Sequence, residues 1–218
     1  LNVFFLTDRN KKDTGVDGKK VQPQAIASVT VIGAGIMGSG IAAANVKRGL
    51  TVALTDAARE SLLKGGRSVL EEAAFDRTLK GPSAERMLEL APLLNLTSSD
   101  PEVAASDLVI EAVIENEKVK RAIYTQLEPL LGPHAILASN TSTIPITKLA
   151  AGLKRPERFC GIHFFNPVRR MKLVEVIRGE KTSDETIATA MAYAKGIGKV
   201  PIVMNDGPGF LVNRLLFP

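Results

Sequence analysis

Val29-Thr30-Val31-Ile32-Gly33-Ala34-Gly35-Ile36-Met37-Gly38 is the stretch that decides the fold. Its first four residues are apolar or β-branched, as in a buried strand. Glycines in G-x-G-x-x-G spacing follow at once, and residues 36–48 read as a helix that ends near Gly49. The glycine motif is common by itself and gains meaning from the strand before it and the helix after it. In that setting Gly33 and Gly35 allow a tight turn and a close approach of backbone to a pyrophosphate, while Gly38 lets the helix pack on the strand. The amides and positive end of the helix then face the phosphates.

The next strand, Thr51-Val52-Ala53-Leu54-Thr55, ends at Asp56, 23 positions past Gly33. An acid there accepts hydrogen bonds from ribose hydroxyls and repels a 2′-phosphate, so the expected cofactor is NAD rather than NADP. Arg59 lies near in sequence, but Asp56 holds the decisive strand end.

Outward from this unit, strands are expected at 108–110, 135–138, 159–162, 173–177 and 200–203, and helices at 57–75, 84–91, 117–131 and 183–196. Continuously apolar strands alternating with helices predict an α/β domain, doubly wound in the Rossmann manner, with a mainly parallel sheet. Residues 1–28, polar from 8 to 24, read as a linker or lead-in. The nucleotide domain is expected over 29–206. The apolar run at 209–217 reads as the first turns of a helical domain, so that 207–218 would be its cut-short start.

The single cysteine, Cys160, excludes an internal disulfide and reads as a small buried hydrophobe. No apolar run approaches the roughly 18 residues of a membrane span. A net charge of +5 permits an anionic partner. Without an arginine-rich run interleaved with aromatics, that partner is not expected to be nucleic acid. Two histidines, one cysteine and no ligand cluster predict no metal site.

Chemistry is carried elsewhere. His163, in Gly161-Ile162-His163-Phe164-Phe165-Asn166-Pro167, is one of two histidines, and an imidazole is a natural proton acceptor near neutral pH. Twelve residues on, Glu175 sits inside an apolar strand, where a carboxylate needs a partner. Ser139-Asn140-Thr141-Ser142-Thr143 follows a strand, where α/β sheets place ligand groups, although such a run is more often a turn or a cap. Glu111 and Glu115 follow another strand and either face the cofactor or cap the next helix. His134, after Pro133, reads as surface.

Taken together these segments resemble the 3-hydroxyacyl-CoA dehydrogenases of fatty-acid β-oxidation. The resemblance spans 29–218 and rests on S-N-T-S at 139–142, H-F-F-N-P at 163–167, L-V-E-V at 173–176 and P-G-F-x-x-N-R at 208–214. The lead-in and Asn140-Thr141-Ser142-Thr143-Ile144-Pro145 look most like the multifunctional members, in which an enoyl-CoA hydratase half precedes the domain. The resemblance implies His163 as catalytic base, Glu175 as its paired carboxylate, Ser142 near the substrate hydroxyl and the nicotinamide, and Asn213 holding the reacting oxygen. It implies NAD contacts from Met37, Asp56, Val113, Glu115, Lys120, Ser142 and Asn166.

The activity so implied is oxidation of a (3S)-3-hydroxyacyl-CoA to a 3-oxoacyl-CoA by hydride transfer to NAD. Implied partners are the acyl-CoA substrate, a second copy of the chain through the C-terminal domain, and a thiolase subunit. The implied compartment is the cytoplasm in a bacterium, or the peroxisome or mitochondrion in a eukaryote. Two other readings stay open: an NAD-dependent dehydrogenase of a β-hydroxy acid not attached to CoA, and a non-catalytic relative of the crystallin or NAD-sensing kind.

Overall fold

The structure, a computed structural model, describes residues 10, 12–16, 21–207 and 209–216. Parts of both expected terminal segments (1–9, 11, 17–20, 208, 217 and 218) lie outside the described residues.

Strand β1 (Ser28–Ile32) leads through the glycine loop into helix α1 (Ile36–Val46) and strand β2 (Thr51–Thr55). Helix α2 (Arg59–Ala73) follows, then a hairpin of two short strands, β3 (Phe75–Asp76) and β4 (Gly81–Pro82). Helix α3 (Ala84–Leu90) precedes strand β5 (Leu94–Leu96), and α4 (Asp100–Ala104) precedes β6 (Leu108–Glu111). Then come α5 (Glu117–Leu127), β7 (Ile136–Ser139), α6 (Ile146–Leu149) and β8 (Phe159–Phe164). The chain closes with β9 (Leu173–Arg178), α7 (Asp184–Gly196), β10 (Val200–Asn205) and α8 (Val212–Leu216).

Among the described residues eight strands form one sheet in the order β10-β9-β8-β7-β6-β1-β2-β5. The run β5-β2-β1-β6-β7-β8 is parallel throughout and has the doubly wound order, with its switch point between β1 and β6. β9 turns back antiparallel on β8, and β10 runs parallel to β9. The sheet is therefore mainly parallel, with a reversed edge pair.

Alternation along the strands makes two cores. Leu108, Ile110, Ile136 and Ala138 join one apolar cluster with Ile41 and Val46 of α1, while Val109 and Leu137 join the other with Tyr124 and Leu127 of α5. Burying each large aliphatic side chain stabilises by about 1.5–3 kcal/mol, so both faces of the sheet must be covered. That is why these strands are continuously apolar in sequence. Cys160 is buried and His134 exposed.

The described residues of the lead-in lie against the domain. Val16 and Ile26 pack on the first core, and a Cβ at Gly15 would come within 2.9 Å of Met191 and Val203. The amides of Ala27 and Ser28 both donate to Asp107 Oδ2 at 2.9 Å, which fixes the start of β1 beside β6. β5, absent from the sequence expectation, is a three-residue edge strand paired on one side with β2.

Candidate active site

The three glycines meet three different demands. Gly33 has φ +101°, in the left-handed region, and a Cβ there would lie 2.7 Å from the Ala112 carbonyl oxygen. A Cβ on Gly38 would fall on the Gly33 carbonyl oxygen, so this contact between helix and loop admits no side chain. A Cβ on Gly35 would meet nothing within 4 Å: the loop is open on that side. Gly35 is also the N-cap of α1; no side chain caps the helix and its first turn carries no acid. The exposed amide end suits an anion, and a pyrophosphate fits it.

Asp56 stands at the end of β2. Its Oδ2 accepts from the Ala34 amide at 2.8 Å and its Oδ1 from the Ala58 amide at 2.9 Å, so the acid also holds the glycine loop to its strand. Ile36, the first residue of α1, and Ile114, in the loop after β6, flank the switch point and are 79% and 68% exposed. Such exposed apolar side chains suit the flat rings of a dinucleotide.

Across the switch point four expected side chains converge. His163 and Glu175 are direct cross-strand partners in the antiparallel pair β8–β9, and His163 Nδ1 lies 2.7 Å from Glu175 Oε2. Ser142 Oγ lies 3.2 Å from His163 Nε2, and Asn213 Nδ2 donates to the Ser142 carbonyl at 3.2 Å. Glu175 Oε1 accepts from the amides of Leu211 (3.1 Å) and Val212 (2.9 Å), which ties the dyad to the start of α8 and so places Asn213.

Burial would raise the Glu175 carboxyl, but the His163 hydrogen bond, the Val212 and Leu211 amides and the His163 charge together hold it below the usual carboxylate range. An ionised Glu175 accepts only, so Nδ1 carries the proton of this hydrogen bond and Nε2 is the ring nitrogen that faces Ser142. The rings of Phe165 and Phe210 flank the imidazole at centroid distances of 4.6 and 5.9 Å.

Glu115 gathers the turn that carries Ser142. Its Oε1 accepts from Thr141 Oγ1 (2.5 Å), the Ser142 amide (2.9 Å), and the Thr143 amide and Oγ1 (both 3.1 Å). Burial would raise its carboxyl; the Thr141 hydroxyl, the Lys120 charge and the two amides outweigh this and lower it. Lys120 is 1% exposed, with its ammonium 2.7 Å from Glu111 and 3.3 Å from Glu115. Met37 and Val113 are half-buried and pack against the two cores, whereas Asn166 is exposed beside Phe165.

Glu111 neither faces solvent nor caps a helix. It is fully buried, and the cap of α5 is Asn116, which accepts from the Val119 amide at 3.2 Å. Phe210, Asn140 and Tyr124 were not singled out by the sequence. Asn140 Oδ1 accepts from the Phe164 amide at 2.9 Å and braces the strand that carries His163. Asn140 and Phe210 had a signal in their S-N-T-S and P-G-F-x-x-N-R settings, but Tyr124 looks like any core aromatic. Among the described residues no cluster of three or more metal-ligating side chains is found, and no helix is long and apolar enough to cross a membrane.

An anion-ready helix end on one side of the switch point, and a histidine held by a buried carboxylate beside a serine on the other, make a nicotinamide-dependent dehydrogenase domain the class that fits. Comparison gives the family. Residues 28–207 match the 3-hydroxyacyl-CoA dehydrogenase, NAD binding domain, and the chain belongs to that family; its cofactor is NAD.

The chain is 45% identical over 218 residues to the fatty acid oxidation complex subunit alpha of Idiomarina loihiensis, and 48% identical over 218 residues to that of Pseudomonas savastanoi pv. phaseolicola. Each match covers 99% of this chain and 30% of the relative, so the chain spans under a third of the length of these proteins. In structure it is similar to (S)-3-hydroxybutyryl-CoA dehydrogenase from Ralstonia eutropha, with a TM-score of 0.82 and 42% identity, covering 88% of this chain and 68% of that one.

Proposed function

We propose that the complete enzyme oxidises a (3S)-3-hydroxyacyl-CoA to the 3-oxoacyl-CoA, with His163 as general base. The convergence of Ser142, His163, Glu175 and Asn213 carries this reading. NAD, when bound, supplies the hydride acceptor. The chain's own residues do the rest. His163 Nε2 takes the proton of the C3 hydroxyl. Glu175 holds the ring by Nδ1 and stabilises the imidazolium that forms. Ser142 and Asn213 orient the reacting oxygen and stabilise charge on it. In the reverse direction the imidazolium returns its proton to the carbonyl oxygen.

Residues proposed to hold the cofactor are Gly33, Gly35, Met37, Gly38, Asp56, Val113, Glu115, Lys120, Ser142 and Asn166. Lys120 acts on it through Glu115, given its burial. The CoA part of the substrate is supported by a cleft of about 700 Å³ whose wall includes Arg169, Arg170 and Lys172, from the segment that follows the His163 strand. Lys47, Arg77, Arg169, Arg170 and Lys172 line it with Phe75, a setting for an anionic nucleotide.

The likeness to complex alpha subunits along 99% of the chain supports a multifunctional protein: a lead-in at 1–28, this domain at 29–206, and a helical domain from 207. An enoyl-CoA hydratase half, a thiolase subunit and a second copy of the chain are its proposed partners, in the bacterial cytoplasm. The test is NADH oxidation by the complete enzyme with acetoacetyl-CoA and with free acetoacetate. Turnover of the thioester alone is the expected result. Equal rates would favour a non-CoA substrate, and no turnover of either would favour a non-catalytic relative.

A further inference from the structure

Behind the 141–143 turn lies a buried polar cluster that the reaction does not use directly. Glu111, at the end of β6, gathers donors from three elements. Its Oε1 accepts from Lys120 Nζ on α5 at 2.7 Å and from the Val113 amide at 2.8 Å. Its Oε2 accepts from Tyr124 Oη on α5 at 2.5 Å and from Ser139 Oγ on β7 at 2.8 Å. Ser139 Oγ in turn accepts from the Thr141 amide at 3.3 Å. Glu111, Lys120, Tyr124 and Ser139 are all 1% exposed or less. Burial, and next the Glu111 charge, push the Tyr124 phenol well above its ordinary range, so it stays a donor.

Such a cluster is not needed to hold α5 on the sheet, because well-packed apolar side chains of the same size would do so as well. What an apolar cluster could not do is set the direction of Lys120. The ammonium is shared between Glu111 Oε1 and Glu115 Oε2, and the other oxygen of Glu115 collects the turn bearing Ser142.

We propose that Glu111 and Tyr124 are positioning residues of the hydride-transfer site: they fix Lys120, Lys120 fixes Glu115, and Glu115 aims Ser142 at His163. This rests on the roles proposed above for Ser142 and His163. Without the Glu111 charge, Lys120 retains Glu115 as its one carboxylate partner, Glu115 is drawn toward it, and the turn moves. A shift of about 1 Å at a reacting group can lower turnover on the order of 100-fold.

The test uses the complete enzyme with Glu111→Gln, Tyr124→Phe and the double variant Glu111→Leu/Lys120→Met, which removes both members of the buried ion pair and so leaves neither charge unpaired. Steady-state kinetics are read beside amide hydrogen exchange at Ser142 and Thr143. For Glu111→Gln and the double variant we expect kcat to fall about 10- to 100-fold, with KM for acetoacetyl-CoA unchanged and both amides exchanging faster. Tyr124→Phe should show the same signature more weakly. A variant that loses melting temperature but keeps wild-type kcat and wild-type exchange at these amides would reduce the cluster to packing and overturn the proposal. An inactive wild-type enzyme would sink the proposed function instead, and the exchange measurement would still decide this one.

Discussion

At the scale of single residues the site is a matter of which atoms are left free. Glu175 spends Oε2 on His163 and Oε1 on two amides, and His163 turns Nε2 to Ser142. Replacing His163 by Gln in the complete enzyme should lower turnover about 10²–10⁴-fold. NADH should still bind, as followed by its fluorescence; near-full activity would remove His163 from its role. Glu175 also links the site to pH. Its folded carboxyl is depressed, so its contribution to stability is present above the unfolded value of about 4.3 and is lost as pH falls through the folded one. The melting temperature of wild type should exceed that of Glu175→Gln most clearly near neutral pH, and the gap should narrow below about pH 4. A gap that stays constant from pH 7 to pH 3.5 would contradict this.

At the scale of elements, β1, the glycine loop and α1 form one unit in which each glycine has a separate reason. Gly35 has ordinary backbone angles (φ −72°, ψ −169°) and open space where a Cβ would go. Gly35→Ala should therefore leave stability unchanged or raise it by up to about 1 kcal/mol, yet weaken NADH binding, because the added methyl occupies the opening over the helix end. Gly38→Ala meets a carbonyl oxygen and should destabilise by about 1–3 kcal/mol. Thermal melts with and without NADH separate the two; equal effects in both variants would mean the loop is only structural. The same unit shows what a sequence reveals well: a buried strand, three glycines and a strand-end acid are local, and their meaning does not depend on distant contacts. β5 shows the reverse. Its three residues, Leu94-Asn95-Leu96, are too short to give a period, and pairing with β2 alone makes them a strand.

At the scale of the whole molecule, the sheet order brings groups together that the chain keeps apart. The basic cleft draws Lys47 from α1, Arg77 from beyond α2, and Arg169 and Arg170 from the segment after His163, with the Arg169 guanidinium 4.0 Å over the Phe75 ring. In the sequence these cations gave only a positive total. Arg170→Glu should raise KM for acetoacetyl-CoA about tenfold or more, by loss of a charge-assisted contact. It should leave KM for a thioester that lacks the nucleotide almost unchanged; equal losses with both substrates would place the CoA phosphates elsewhere.

The sequence by itself determined the doubly wound nucleotide fold, the preference for NAD, and His163, Glu175 and Ser142 as the groups to watch. The fold, the cofactor, and the histidine and strand acid follow from residue type, period and short spacing, whereas Ser142 was marked only by the family resemblance. Only the tertiary structure decided that β9 reverses direction, so that a histidine and a glutamate twelve positions apart face each other across a ladder. Only the structure placed Asn213 on Ser142 and made Glu111 a buried hub rather than a cofactor contact or a helix cap. The physical reason is the same in each case. Hydrogen bonds between elements are set by strand order and register, which are global solutions to burying two apolar faces, and no local pattern records them.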